Sequence, residues 1–147
     1  MRKVLFRGKR VDNGEWVYWD ALGMIVNIAT GERDGTSRYI AQLPPVDPAT
    51  IGQYIGRTDK NGNWIFEGDI VKNIRKSAWM GVEELVEQII FCEWNSEHCA
   101  FVFSDNVPNP IDVCFGRPTL TFIDNDIKDI QVIGNIHDNP ELVGGGA

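Results

Sequence analysis

The sequence lacks most of the features that identify a function directly. No apolar run approaches the 18 or so residues that a membrane-spanning helix needs, and the basic N-terminus is not followed by the apolar segment of a signal peptide. Neither G-x-x-x-x-G-K-[ST] nor G-x-G-x-x-G, two phosphate-binding signatures, occurs. We therefore expect a cytoplasmic protein without membrane attachment, and the sequence gives no support to nucleotide hydrolysis or dinucleotide redox chemistry.

Cysteine and histidine are scarce as well. The three cysteines, Cys92, Cys99 and Cys114, are odd in number and include no C-x₂-C pair, so the sequence predicts free thiols instead of disulfides or a zinc site. The two histidines, His98 and His137, each fall in a predicted polar connection. We predict no catalytic, cofactor-binding or metal-binding residues and no cofactor. An enzyme with a site assembled around His98 or His137 is the alternative.

Two local clusters contain reactive side chains, but their spacing is wrong for a site. In Ser96-Glu97-His98-Cys99 the neighbouring side chains would point away from one another in a strand or tight turn, so the cluster does not form a triad by itself. The acids Asp124, Asp126 and Asp129 do not match a calcium loop, which requires glycine at its sixth position and an acid at its twelfth. A solvated turn is the favoured interpretation.

Positive charge is in deficit. The chain has 21 acidic and 14 basic residues and a net charge of −7, which disfavours binding to a phosphate backbone by bulk attraction. Five basic residues nevertheless occur among the first ten, with no acid: Arg2, Lys3, Arg7, Lys9 and Arg10. The cluster fits either the solvated face of a strand or a binding patch, and the solvated face is favoured.

Turn-forming and aromatic residues, in contrast, are plentiful. The 15 glycines, 7 prolines and 15 aromatic residues (5 Trp, 3 Tyr and 7 Phe) favour a strand-rich fold. The stretch 51–74 predicts strand, turn and strand about Asn61-Gly62, followed by a second turn at Glu67-Gly68-Asp69 and another strand. A first hairpin is predicted at 4–19 around Asn13-Gly14. We interpret the side chains of Glu67 and Asp69 as supports of their own turn.

Other segments are assigned less directly. Residues 82–94 have apolar residues at helical spacing, but their β-branched and aromatic content and the following strand-like segment favour a strand that pairs with 99–103. Further strands are predicted at 38–43, 119–123 and 131–135, a hairpin-tip loop at 72–80, and single helical turns after Asp47-Pro48 and Asn139-Pro140.

Three of these segments resemble the YopX family of bacteriophage and prophage proteins. The resemblance lies in Gly52-Gln53-Tyr54-Ile55-Gly56-Arg57-Thr58-Asp59-Lys60-Asn61-Gly62 with Phe66-Glu67-Gly68-Asp69-Ile70-Val71, in Val132-Ile133-Gly134-Asn135-Ile136-His137-Asp138-Asn139-Pro140-Glu141-Leu142, and in the opening hairpin from Phe6 to Val17. It implies a β-rich, phage-associated fold of unassigned activity and supplies no catalytic residues. The shared motifs consist mainly of turn-forming residues, so they describe an architecture and not an active site.

The sequence thus predicts an all-β fold, a single domain over 1–143 followed by a disordered tail at 144–147. It has short antiparallel strands and hairpins, a small barrel-like or sandwich core and at most one or two short helices. A subdivision near 44–48 would separate an N-terminal β lobe from a C-terminal SH3-like barrel. We expect a non-catalytic binding module in the cytoplasm of a bacterial host. Its expected partner is a host or phage protein, with self-association plausible and nucleic acid unlikely given the acidic charge.

Overall fold

A computed structural model of the chain describes residues 3–33, 35, 38–42, 45–97, 99–104, 120–122 and 130–142. Strands make up 52% of the structure and form three antiparallel sheets, with no closed barrel and no helix of seven or more residues among the described residues, so the all-β prediction is confirmed. No helical segment in this part of the chain is long or apolar enough to cross a membrane. The backbone groups into two compact units, Met1–Arg57 and Thr58–Ala147.

The first unit is built on the N-terminal hairpin. Strands β1 (Leu5–Lys9) and β2 (Trp16–Asp20) pair in antiparallel register, and β5 (Gly52–Thr58) pairs with the other edge of β1. Gly14 closes the hairpin turn with φ +72°, which glycine adopts without steric cost, and this confirms the predicted hairpin. A two-residue pair, β3 (Val26–Asn27) with β4 (Glu32–Arg33), follows β2.

The second unit contains a five-stranded antiparallel sheet. The sheet strands are β7 (Asp69–Trp79), β8 (Val82–Asn95), β9 (Ala100–Ser104), β10 (Leu120–Phe122) and β11 (Gln131–Asn135), and they lie in the order β10-β9-β8-β7-β11. Strand β6 (Trp64–Phe66) precedes the sheet in the chain and is not one of its strands.

The core of this unit lies where β7, β8, β9 and β11 run side by side. Adjacent residues of one strand point to opposite faces, yet both Ile70 and Val71 of β7 are fully buried, as are both Val102 and Phe103 of β9. Both faces of the sheet are therefore covered at this point. Among the described residues of this unit, the other buried apolar side chains are Ile65, Phe66, Ile90, Cys92 and Ile130.

Several predictions about individual elements are confirmed. Residues 82–95 form strand β8, since pairing with β7 on one side and with β9 on the other outweighs the helical spacing of its apolar residues. The turns Pro48–Thr50 and Pro140–Leu142 are short 3-10 helices that begin at proline, as expected. Strands are also present within the predicted segments 119–123 and 131–135.

Two other predictions are wrong. Residues 72–79 belong to β7 instead of a loop, because they pair residue for residue with β8 as far as Trp79↔Val82, and the hairpin tip is only Met80-Gly81. Within 38–43, Ile40–Gln42 is a 3-10 turn, and Tyr39 makes only an isolated bridge to Met24. In both segments the decisive factor is the long-range partner, which local composition does not reveal.

Candidate functional site

In the second unit, polar side chains of the family-like motifs accept hydrogen bonds from backbone N–H groups of nearby turns. Asp59 is the first of these side chains along the chain. Its Oδ1 accepts hydrogen bonds from the backbone N–H groups of Asn61 (2.9 Å) and Asn63 (2.8 Å). Its Oδ2 accepts from the Asn63 side chain (3.1 Å) and from the backbone N–H of Val132 in β11 (3.0 Å). Asp59 thus organises the Asn61-Gly62 turn and fastens it to a strand 73 residues away.

The electrostatics of Asp59 follow from these bonds. Only 6% of the residue is exposed, and this burial acts to raise the pKa of the carboxyl group. The hydrogen bonds from Val132, Asn63 and Asn61 favour the charged form and outweigh burial, so the pKa lies below the usual value for aspartate. The charged carboxylate is a structural anchor of this unit.

The Glu67-Gly68-Asp69 turn has the same structural character. The buried Asp69 accepts a hydrogen bond from the backbone N–H of Phe66 (2.8 Å), as expected for an aspartate that supports its own turn. Gly68 has φ +88°, donates its N–H to the carbonyl of Cys92 (2.8 Å) and accepts from the N–H of Ile136 (2.9 Å). The turn therefore connects β8 to the segment that follows β11.

That C-terminal segment is organised by Asn135. Its side-chain oxygen accepts from the backbone N–H groups of His137 (3.0 Å) and Asp138 (2.9 Å), while its amide donates to the Asp138 carboxylate (3.0 Å). The backbone N–H of Asn139 donates to the Asn135 carbonyl (2.8 Å). A Cβ on Gly134 would come within 2.9 Å of the Asn139 Cγ, so the close approach of Asn139 requires glycine at this position.

His137, one of the two histidines of the alternative enzyme hypothesis, lies in this C-terminal segment. Its Nε2 is 3.6 Å from the position that a Cβ would occupy on Gly68, so the imidazole lies beside the Glu67-Gly68-Asp69 turn. The neighbouring acid Asp69 is buried and supports the backbone of Phe66. The imidazole of His137 therefore lies beside a turn whose acid supports the backbone.

The other candidate residues are placed as follows. His98 and the acids Asp124, Asp126 and Asp129 lie outside the described residues, as does Cys114. Cys92 is buried and Cys99 is exposed, and both are free thiols. Throughout the described part of the chain, no three His, Cys, Asp or Glu side chains are grouped closely enough to hold a metal ion.

The basic N-terminal cluster is partly used within the first unit. Arg10 forms an ion pair with Asp12 at 2.6 Å, and Arg7 is only 6% exposed. The Arg7 guanidinium lies 4.5 Å and the Lys9 ammonium 5.5 Å from the centre of the Trp16 ring, within the range of cation–π attraction. Much of this charge therefore serves the packing of the hairpin.

Sequence reasoning identified the turns but missed the long-range role of Asp59. An aspartate two residues before Asn-Gly signals a local turn, and nothing in that pattern indicates a bond to β11. The mutual fit of Gly134 and Asn139 was likewise not visible, because it depends on the path of the chain after β11.

Comparison with known proteins identifies a family for this chain. The family model described as YopX protein matches residues 5–144. A search of curated proteins gave no match. One similar solved structure is that of protein EF1440 from Enterococcus faecalis, with 22% identity over 95% of this chain and 97% of that chain and a TM-score of 0.47, a likeness too distant to support an argument. Because the family match spans nearly the whole sequence, the chain belongs to the YopX family.

Proposed function

We propose that this chain is a phage- or prophage-encoded, non-catalytic binding module that acts through protein–protein contacts in the bacterial cytoplasm. The observation that carries the proposal is the use made of the signature side chains. Asp59, Asp69 and Asn135 all direct side-chain oxygens at backbone N–H groups of nearby turns. Polar groups engaged in this way stabilise a scaffold and are poorly suited to acid–base or nucleophilic chemistry.

A contact surface is available in the first unit. Leu22 is 70% exposed and Tyr39 is 54% exposed, and they lie on adjoining segments because Tyr39 bridges Met24 and the N–H of Ile40 donates to the Gly23 carbonyl. A tyrosine beside an aliphatic side chain supplies contact area at low entropic cost, and tyrosine is enriched at protein interfaces. A host or phage protein is the proposed partner, since the net charge of −7 does not favour nucleic acid.

The test is affinity purification of the tagged chain from the bacterial host after cross-linking. The double variant Leu22→Ser, Tyr39→Ser should lose a partner that the wild type retains in stoichiometric amount. Val11→Ser is the matched control, because Val11 is also an exposed apolar residue of this unit but lies in the β1–β2 turn. Recovery of the same proteins with all three chains, or of none with the wild type, contradicts the proposal.

One observation favours a second function, association with single-stranded nucleic acid. Trp16 lies close to both Arg7 and Lys9, and an aromatic ring beside cations is a common arrangement for stacking a base next to its phosphate. Real phosphate contacts would give an affinity that falls steeply with salt concentration. Negligible binding to single- and double-stranded DNA at low salt would dismiss this function.

An enzyme with a site around His98 or His137 is the third candidate. His137 lies beside the Gly68 turn, where a substrate would have to meet the imidazole. Any turnover found by screening should then vanish in His137→Ala or His98→Ala. Turnover that survives both substitutions would exclude these histidines.

A further inference from the structure

The hairpin of β7 and β8 extends well beyond the sheet to which it belongs. Strand β11 pairs with β7 only over residues 69–72, and β9 pairs with β8 only over residues 91–95. The register between β7 and β8 nevertheless continues from Asn73↔Gln88 to Trp79↔Val82. The result is a two-stranded ribbon, residues 73–88, that runs for about 20 Å at roughly 3.3 Å per residue.

Each strand of this ribbon has an outer edge, on the side away from its partner in the hairpin. Within the described part of the chain, no third strand pairs with 73–79 or with 82–88. An isolated two-stranded ribbon is only marginally stable in water, and an unpaired strand edge is a ready template for a further strand. Natural proteins usually shorten or cover such edges, so a ribbon of this length favours coverage by a further strand.

The tip of the ribbon supports the same conclusion. Met80 has φ +50° and Gly81 has φ +83°, so both central residues of the turn adopt the left-handed conformation. Asparagine, aspartate or glycine is the usual choice at the first of these positions, and methionine is strained there. Met80 is also 88% exposed, the highest value among the exposed large apolar side chains. Residues held in sparsely populated backbone conformations cluster at functional sites.

The two strands carry opposite charge in the sequence. Residues 72–79 contain Lys72, Arg75 and Lys76 and no acid, while residues 82–88 contain Glu83, Glu84 and Glu87 and no base. Pairing β7 of one copy with β7 of another would bring like charges together, and so would pairing β8 with β8. Pairing β7 of one copy with β8 of the next brings opposite charges together.

We propose that the ribbon is a self-association surface, in which the free edge of β7 in one copy pairs with the free edge of β8 in the next copy. The contact is head-to-tail, so each copy uses both edges, and the assembly is a ring if the rotation between copies closes and an open filament if it does not. This inference goes beyond the proposed function, because it uses the second unit and takes another copy of this chain as the partner.

The experiment is sedimentation velocity of the full chain over a wide range of concentrations. The wild type should sediment as a concentration-dependent oligomer. Arg75→Glu with Lys76→Glu makes both strands acidic, and Glu83→Lys with Glu84→Lys makes both strands basic, so each double variant alone should sediment at the 16.5 kDa of one chain. An equimolar mixture of the two should assemble again, because each strand then finds an opposite charge on its neighbour.

The double variants also change the charges that β7 and β8 of one copy present to each other, and this could weaken the ribbon within a single chain. Mixing two variants cannot reverse such an effect, so assembly in the mixture reports the contact between copies. Circular dichroism and thermal unfolding show whether each double variant is folded. A shortened chain has residues 76–85 replaced by Asn-Gly, so that a tight turn follows the Arg75↔Val86 pair. This change removes most of the ribbon and keeps the residues of β7 and β8 that pair with β11 and β9. The shortened chain should be monomeric.

The outcomes are distinct. A wild type that sediments as one chain at every concentration overturns the self-association and has no bearing on capture of another protein through Leu22 and Tyr39. Assembly of the shortened chain places the contact elsewhere and also overturns the proposal. If Glu83→Lys, Glu84→Lys still assembles alone, the head-to-tail pairing is wrong. Assembly that reappears only in the mixture supports it.

Discussion

Replacement of Asp59 gives the sharpest test of the structural role assigned to the family signature. In Asp59→Asn, one oxygen remains for the turn N–H groups of Asn61 and Asn63, but the amide that replaces Oδ2 cannot accept from Val132. Either orientation of the amide leaves one set of donors without an acceptor. A hydrogen bond to a charged group contributes about 1.5–3 kcal/mol, so we expect a loss of that size in the free energy of unfolding.

Asp59→Ala should cost more. It also removes the acceptor of the Asn61 and Asn63 N–H groups, which lie in an exposed turn where water replaces part of the loss. A typical uncharged bond contributes about 1 kcal/mol, so the total should reach roughly 2.5–4 kcal/mol. Urea unfolding followed by tryptophan fluorescence measures this difference. Hydrogen exchange at Val132 should accelerate roughly 10- to 150-fold in Asp59→Asn, since 1.4 kcal/mol corresponds to a factor of ten.

The pH dependence provides a second readout. Because the folded pKa of Asp59 lies below its unfolded value of about 3.9, its contribution is complete above that unfolded value and is lost as the pH falls through the folded pKa. The stability difference between wild type and Asp59→Asn should therefore be constant near neutral pH and shrink in acid. A difference that grows in acid would contradict the assigned direction of the pKa.

Asp47→Asn is the matched control. Asp47 also accepts a backbone N–H, that of Ala49 at 3.0 Å, but it is exposed and caps a single 3-10 turn. Asparagine is as good an N-cap as aspartate, so stability should change by only a few tenths of a kcal/mol. If Asp59→Asn proves as mild as Asp47→Asn, and exchange at Val132 is unchanged, the anchoring role of Asp59 is refuted.

Two further predictions concern packing. Gly134→Ala should lower the free energy of unfolding by about 1–3 kcal/mol, because the new methyl group collides with the Asn139 side chain, whereas Gly35→Ala meets no atom within 4 Å and should be close to neutral in the same urea titration. The exposed Cys99 should react with a thiol reagent in the folded protein, whereas Cys92, which is 1% exposed, should react only when the protein unfolds. Peptide mapping measures the rate at each cysteine, and equal rates would contradict the burial of Cys92.

The sequence by itself determined the local structure wherever the cause is local. Asn13-Gly14 and Asn61-Gly62 close turns because Gly14 and Gly62 adopt positive φ, and Pro48 begins a 3-10 turn because its fixed φ suits the first helical position. The all-β class followed from the same turn chemistry together with the β-branched and aromatic content. The YopX resemblance followed from the order of these turns.

Only the tertiary structure decided where those turns are attached and how far the strands extend. The bond from Val132 to Asp59 joins residues 73 positions apart, and the length of β7 depends on a register with β8 that composition at 72–80 does not reveal. A strand is stabilised by its neighbour, and that neighbour is chosen by the whole fold. For the same reason the length of the β7–β8 ribbon and the exposed Met80 at its tip became visible only in the folded chain.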